Sequence, residues 1–262
     1  FMSKRAQIIE IPLQNDGMDI DVLENMLKVY RPKFIYVMVY FQTPTGISYS
    51  LEKKRRILDL AEKYDTYIIE DDNLYDFNYS KKPIVPLKAL DYKNRVIYIK
   101  SFSKILMPGL RIGFMVLPKK IMSAVLRAKY TTDISTSGFI QKALDIYIKE
   151  DTWQNHIDII TKYCRQKYNK AFNCAKKYLK DKSDFINPHG GISLWIKPYS
   201  NAPLNEICSK LAQKNVIVSP GTQFMISDTT SQFIRICFCN VSDDKIEVGI
   251  KRLGEILTLY ND

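Results

Sequence analysis

Histidine is nearly missing from this chain, with only His156 and His189 in 262 residues. With so few imidazoles and no C-x-x-C pair, zinc sites of the usual ligand spacing are excluded and no metal is expected. The five cysteines, Cys164, Cys174, Cys208, Cys237 and Cys239, are odd in number and widely spaced, which points to reduced, mostly buried thiols. Long apolar runs are missing too. The stretch FIYVMVY, Phe34 to Tyr40, has the length of a strand and not of a membrane span, so no membrane partner is expected. The opening residues FMSKRAQIIE carry no secretory pattern, which makes a cytoplasmic location the expectation. Helix-turn-helix, zinc-finger and RNA-binding signatures are also lacking. The formal charge of +11 is spread over lysine pairs such as Lys53-Lys54 and Lys119-Lys120, each mixed with acids, so it does not form a nucleic-acid footprint.

What is present is a strand–helix rhythm over the first 150 residues. FIYVMVY reads as a strand covered on both faces. After the turn residues TPTG, Thr43 to Gly46, Ser50 can cap a helix with Ile57, Leu60, Ala61 and Tyr64 on one face. TYIIE (Thr66 to Glu70) and RVIYI (Arg95 to Ile99) are further buried strands, as in a mostly parallel sheet. RIGFMVL, Arg111 to Leu117, follows Ile99 too closely for a helical crossover, so an antiparallel strand and a mixed sheet are expected. Beyond Pro118, residues 119–130, 137–149 and 151–181 read as helices. The tail reads as α+β: strands GGISLWI (Gly190 to Ile196), VIV (Val216 to Val218) and QFIRICF (Gln232 to Phe238), a helix from Leu204 to Lys214, and a last helix after Ser242. The expected fold class is therefore α/β, a mostly parallel mixed sheet flanked by helices, with a smaller C-terminal α+β domain.

Four features lie at strand ends or in the turns after them, where open α/β sheets place ligands. SFSKILMPGLRIGF, Ser101 to Phe114, offers two hydroxyls, one lysine and an arginine suited to phosphate; composition alone would make Lys104 an ordinary surface lysine. In IIEDDN, Ile68 to Asn73, acids directly after a buried strand could hold a pyridinium nitrogen protonated, cap a helix or bind a metal. QTPTG is by itself a turn signal. Arg235, inside the apolar FIRICF, must find an anion, either an internal acid or a substrate carboxylate.

In this order the four resemble the pyridoxal-5′-phosphate-dependent aminotransferases of fold type I, from about Ile8 to Leu257. The aminotransferase-like domain of MocR-type GntR-family transcriptional regulators is the subgroup most similar, through IIEDDN, RVIYIKSFSKILMPGLRIGF, STSGFIQKAL, HGGISLWI and VIVSPGTQF. The resemblance implies pyridoxal 5′-phosphate as cofactor and Lys104 as the Schiff-base and proton-shuttling lysine. It also implies that Ser101, Ser103 and Arg111 bind the phosphate, that Asp71 pairs with the pyridine nitrogen, and that Arg235 takes the α-carboxylate of an amino-acid-like ligand. Residues 1–150 are then the cofactor-binding large domain, incomplete at its N-terminus, and residues 151–262 the long connecting helix and small domain. A homodimer is implied, with DNA contacted only through an N-terminal winged-helix domain outside this chain.

Two departures bear on function. Thr43 replaces the asparagine, and Asn73 and Leu74 the tyrosine, that ordinarily contact the cofactor's phenolic oxygen, leaving Asn73 as the candidate donor and Tyr75 one residue further on. Weaker tuning of the ring favours an effector sensor in a regulator; the alternative is a free-standing class I/II aminotransferase acting on an amino acid and a 2-oxo acid. A third reading, a silent scaffold, is disfavoured by Lys104, Arg111 and Asp71.

Overall fold

A computed structural model describes residues 5–80, 82–150, 152–226 and 231–260. An antiparallel hairpin, β1 (Leu13–Gln14) and β2 (Gly17–Met18), leads into α1 (Ile20–Tyr30). The Asp19 side chain accepts from the backbone N–H groups of Asp21 and Val22, two donors a helix start otherwise leaves unpaired. These elements are additional to those expected from the sequence.

The main sheet has the order β3 (Phe34–Val37), β4 (Tyr67–Asp72), β5 (Val96–Ser101), β6 (Gly113–Val116). The first two pairings are parallel and the last is antiparallel, as the short gap before β6 demands. Helix α2 (Leu51–Lys63) makes the first crossover; its Ser50 cap accepts from Lys53 N–H at 3.2 Å, and Ile57 and Ala61 are wholly buried. The short α3 (Leu87–Leu90) lies on the second crossover. Two boundaries differ from the sequence reading. β3 ends at Val37, and Met38, Val39 and Tyr40 are buried without joining the ladder. β4 continues past Glu70 to Asp72, so the acids belong to the strand and do not follow it.

Helices α4 (Lys119–Asp133), α5 (Gly138–Lys149) and α6 (Thr152–Tyr178) come next. A second sheet, wholly antiparallel, has the order β7 (Ser183–Phe185), β8 (Ser193–Pro198), β10 (Ile234–Cys237), β9 (Ser219–Pro220). Helices α7 (Leu204–Gln213) and α8 (Asp243–Thr258) accompany it. VIV is not a strand: the ladder begins only at Ser219, because Val216 N–H is already used by the Leu211 carbonyl at the end of α7.

The described residues fall into two compact units. One comprises those within 1–40, 47–76 and 81–160, the other those within 41–46, 77–80 and 161–262, so the division falls inside α6. The first is centred on Ile57, Ile68, Leu87, Val96 and Ile105, the second on Leu179, Ile196, Leu211, Ile234 and Leu253, all fully buried. Burying each such side chain contributes roughly 1.5–3 kcal/mol.

Candidate functional site

β5 ends at Ser101 and the chain closes a single helical turn, with Leu106 N–H donating to the Phe102 carbonyl at 2.9 Å. Phe102 and Ile105 point into the core, which turns Ser103 and Lys104 outward between them: Lys104 is exposed and Ser103 half-buried. Ser103 N–H donates to Ser101 Oγ at 3.2 Å, a local side-chain turn that leaves both hydroxyls near the strand end. Arg111, in the left-handed region at φ 49°, returns its Nη1 to Ser103 Oγ at 3.4 Å and to the Pro108 carbonyl at 3.2 Å. Among the described residues neither Arg111 nor Lys104 has a carboxylate within ion-pair distance. Two hydroxyls, a guanidinium and an unpaired amine thus gather at the open end of a parallel strand.

Gly113 fixes the far side of this turn. A Cβ there would lie 2.7 Å from the Lys100 carbonyl oxygen, so only glycine lets β6 pair opposite Ser101.

On the neighbouring β4 the three acids divide by face. Asp71 is half-buried, and Tyr36 on β3 donates its hydroxyl to Asp71 Oδ2 at 2.6 Å. Glu70 and Asp72 share the opposite, buried face with Ile68. Glu70 accepts from Leu87 and Lys88 N–H at 2.6 and 2.8 Å, capping α3, and burial pushes it up to about 7. In the same layer Lys54 donates to the Tyr40 hydroxyl and to the Val85 carbonyl at 3.0 Å; burial pulls its ammonium down to about 8. Asp72 accepts from Tyr75 N–H at 3.1 Å and from the Tyr98 hydroxyl at 2.5 Å, and burial raises it despite nearby Lys100. Lys100 donates to Asp76 at 2.5 Å. Glu70 and Asp72 therefore have structural partners, while Asp71 is the acid on the other face. Asn73 Oδ1 is buried without a hydrogen-bond partner. Leu74 is core, and the Tyr75 hydroxyl donates to the Ile84 carbonyl at 3.3 Å.

Thr43 and Arg235 belong to the second unit. Thr43 opens the TPTG turn, half-buried before a cis proline, and Gly46 at φ 75° closes it with its N–H on the Gln42 carbonyl at 2.6 Å. Arg235 on β10 pairs across the ladder with Trp195 of β8 and Ser219 of β9. Its Nη2 donates to Ser219 Oγ at 3.0 Å, and its guanidinium lies 4.7 Å from the Phe224 ring centre. Trp195 stacks on Phe233 with centroids 5.0 Å apart. No internal acid meets Arg235 among the described residues, and its Nε is buried without an acceptor. Of the two anions the sequence left open, the internal acid is therefore absent.

The sequence reading missed Tyr36, Ser219 and Phe224. Tyr36 carried no separate signal, because FIYVMVY is apolar throughout and its exposed phase appears only in the folded strand; Ser219 and Phe224 required the β9–β10 pairing.

The sequence profile of aminotransferase class I and II matches residues 1–253. The chain belongs to that family. Similar curated relatives are aromatic-amino-acid aminotransferase 1 of Thermococcus litoralis, 30% identical over 98% of this chain and 63% of its own length, and the uncharacterized HTH-type transcriptional regulator YisV of Bacillus subtilis, 28% identical over 97% and 52%. Among solved structures, Pyrococcus horikoshii kynurenine aminotransferase in complex with PMP superimposes with a TM-score of 0.92 at 32% identity, over 97% of this chain and 64% of that one. LysN, the α-aminoadipate aminotransferase of Thermus thermophilus, bound to N-(5′-phosphopyridoxyl)-L-leucine, gives 0.90 at 25% identity, over 96% and 65%. The chain thus spans about half to two thirds of the length of these proteins. The fold is that of fold-type I aminotransferases, and both the family and these complexes imply pyridoxal phosphate as the group to test against the residues present. They fit it. The Arg111 guanidinium, which meets no carboxylate among the described residues, and the two serine hydroxyls match a phosphate, the unpaired Lys104 amine matches an aldehyde, and a carboxylate, Asp71, stands on the adjacent strand.

Proposed function

We propose that this chain is the pyridoxal-phosphate-binding, effector-sensing domain of a MocR-type transcriptional regulator, with an amino acid or a close analogue as its ligand. The observation that carries the cofactor part is the Ser101–Arg111 turn, which presents Lys104 unpaired beside a phosphate-suited donor set. When bound, pyridoxal phosphate supplies an electron-withdrawing ring that acidifies the α-carbon of an amino acid. Arg111, Ser101 and Ser103 would hold its phosphate, and Asp71 would keep a proton on its ring nitrogen. Tyr36 orients Asp71 through its hydroxyl. Lys104 Nζ would hold the aldehyde carbon, and as a free amine it would be the base positioned to move a proton at the ligand's α-carbon. Arg235 binds the α-carboxylate through its unpaired Nε, while Ser219 holds its Nη2. The regulator is a homodimer in which DNA contact belongs to a winged-helix domain and not to this one.

Sensing is favoured over turnover by the site's tuning groups. Thr43 stands at the asparagine position, Leu74 is core, and the Tyr75 hydroxyl is committed to Ile84. Asn73, with its buried amide oxygen lacking a partner, is the remaining polar group there. The second reading, a transaminating enzyme, is supported by the 30–32% identity to aminotransferases. The test is to load the protein with pyridoxal phosphate and add amino acids singly. A persistent spectral shift without oxo-acid release supports the sensor; catalytic oxo-acid formation with a second oxo acid as acceptor supports the enzyme and refutes the sensor.

A further inference from the structure

The Lys104 turn is gripped from a side that the cofactor reading does not use. His156, in the first turns of α6, brings its Nε2 to 2.5 Å from the carbonyl oxygen of Ile105, the residue directly after Lys104. A carbonyl can only accept, so Nε2–H is the donor in this contact. The Ile105 carbonyl needs such a donor. The turn that begins at Phe102 does not continue, and the residue three further on is Pro108, which has no N–H.

The grip is reinforced by aromatic packing around the same histidine. Phe102 meets Trp153 edge-on at 5.9 Å, and Tyr147 of α5 lies 6.2 Å from Trp153 and 6.0 Å from His156. Both inward-pointing residues flanking Ser103-Lys104 are thus fixed by one turn of α6, Phe102 through its ring and Ile105 through its carbonyl. From the other side Phe102 N–H is held by the Ile112 carbonyl at 3.2 Å. With both ends tied, the lysine's backbone loses the freedom to turn its side chain away from the phosphate donors.

We propose that His156 is a positioning residue for Lys104, fixing the backbone from which the lysine projects. This rests on the reading of Lys104 as the cofactor-attaching lysine. The test compares His156→Leu, which removes the donor, and His156→Asn, which is too short to reach, with His156→Gln, which keeps an N–H of similar reach. The first readout needs no cofactor: amide hydrogen exchange of residues 102–106. Exchange at Leu106 is expected to accelerate at least about tenfold in the Leu and Asn variants and to return toward wild type in Gln, with the β4 amides unchanged. The second is the dissociation constant for pyridoxal phosphate by absorbance, expected to rise about tenfold in Leu and Asn and less in Gln. Unchanged exchange in whichever of Leu and Asn folds, or equal acceleration in Gln, overturns the proposal. A wild-type protein that attaches pyridoxal phosphate at another lysine, or at none, instead overturns the Lys104 reading; the exchange result still decides whether the clamp exists.

Discussion

Glu70 lends itself to a quantitative test because its carboxyl is fully buried one residue before Asp71. Burial lifts it from 4.5 to about 7 in the folded chain, against two N–H donors and Lys54 that pull it down. Between those values the folded protein keeps a proton that the unfolded chain has lost. Its stabilising contribution is therefore complete below pH 4.5 and is lost as the pH rises through about 7. At about 1.4 kcal/mol per unit, a shift of this size corresponds to ~3 kcal/mol in all, of which ~2 kcal/mol falls between pH 5 and 7.5. Lys54, lowered to about 8, acts in a separate window: it restores stability as the pH rises from 8 toward 10.5. Asp72, raised by burial, works in the same direction as Glu70, so the effect is read as a difference between wild type and Glu70→Gln. The assay is urea unfolding at pH 5 and 7.5 in a Trp195→Phe background. Trp153 then reports on the unit that contains Glu70, since the chain has two tryptophans and Trp195 lies in the other unit. Wild type should lose ~2 kcal/mol more than Glu70→Gln over that interval. The same pH slope in both proteins would refute the reasoning.

Three other outcomes are expected. Gly113→Ala places a methyl 2.7 Å from the Lys100 carbonyl and should cost about 1–3 kcal/mol in urea unfolding, with chemical-shift changes centred on Ser101. Arg235→Gln should weaken amino-acid binding by about ten- to a hundredfold, the worth of a charge-assisted hydrogen bond, with the pyridoxal phosphate dissociation constant within about twofold of wild type; isothermal titration separates the two. Arg111→Ala should do the reverse, weakening pyridoxal phosphate and inorganic phosphate alike, and an unchanged phosphate affinity would remove Arg111 from the site.

How far the sequence reached depended on whether the deciding contacts were local. The antiparallel β6 was legible because a gap too short for a helical crossover leaves few other routes, and the Ser50 cap because its acceptor lies three residues from its donor. The outward turn of Lys104 follows from apolar residues on either side of Ser103-Lys104, a local pattern. The division of Glu70, Asp71 and Asp72 between faces was not legible. It required knowing that the strand runs two residues further, and apart from the Tyr75 N–H on Asp72 the hydrogen-bond partners of those acids lie 17 to 35 positions away. VIV has the composition of a strand, but the turn ending α7 claims its first N–H. The lone arginine in FIRICF was visible as an anomaly, whereas its lack of an internal acid, the Ser219 contact and the unpaired Nε could be learned only from the assembled sheet.

Lys104 is the residue proposed to take pyridoxal phosphate. Adding pyridoxal phosphate to the protein, reducing with borohydride and mapping the modified peptide by mass spectrometry tests it directly, with Lys104→Ala alongside. The expected result is one stoichiometric phosphopyridoxyl group on Lys104, with a visible absorbance band before reduction that is absent from the variant. Label scattered over surface lysines, or the same band in Lys104→Ala, would contradict it.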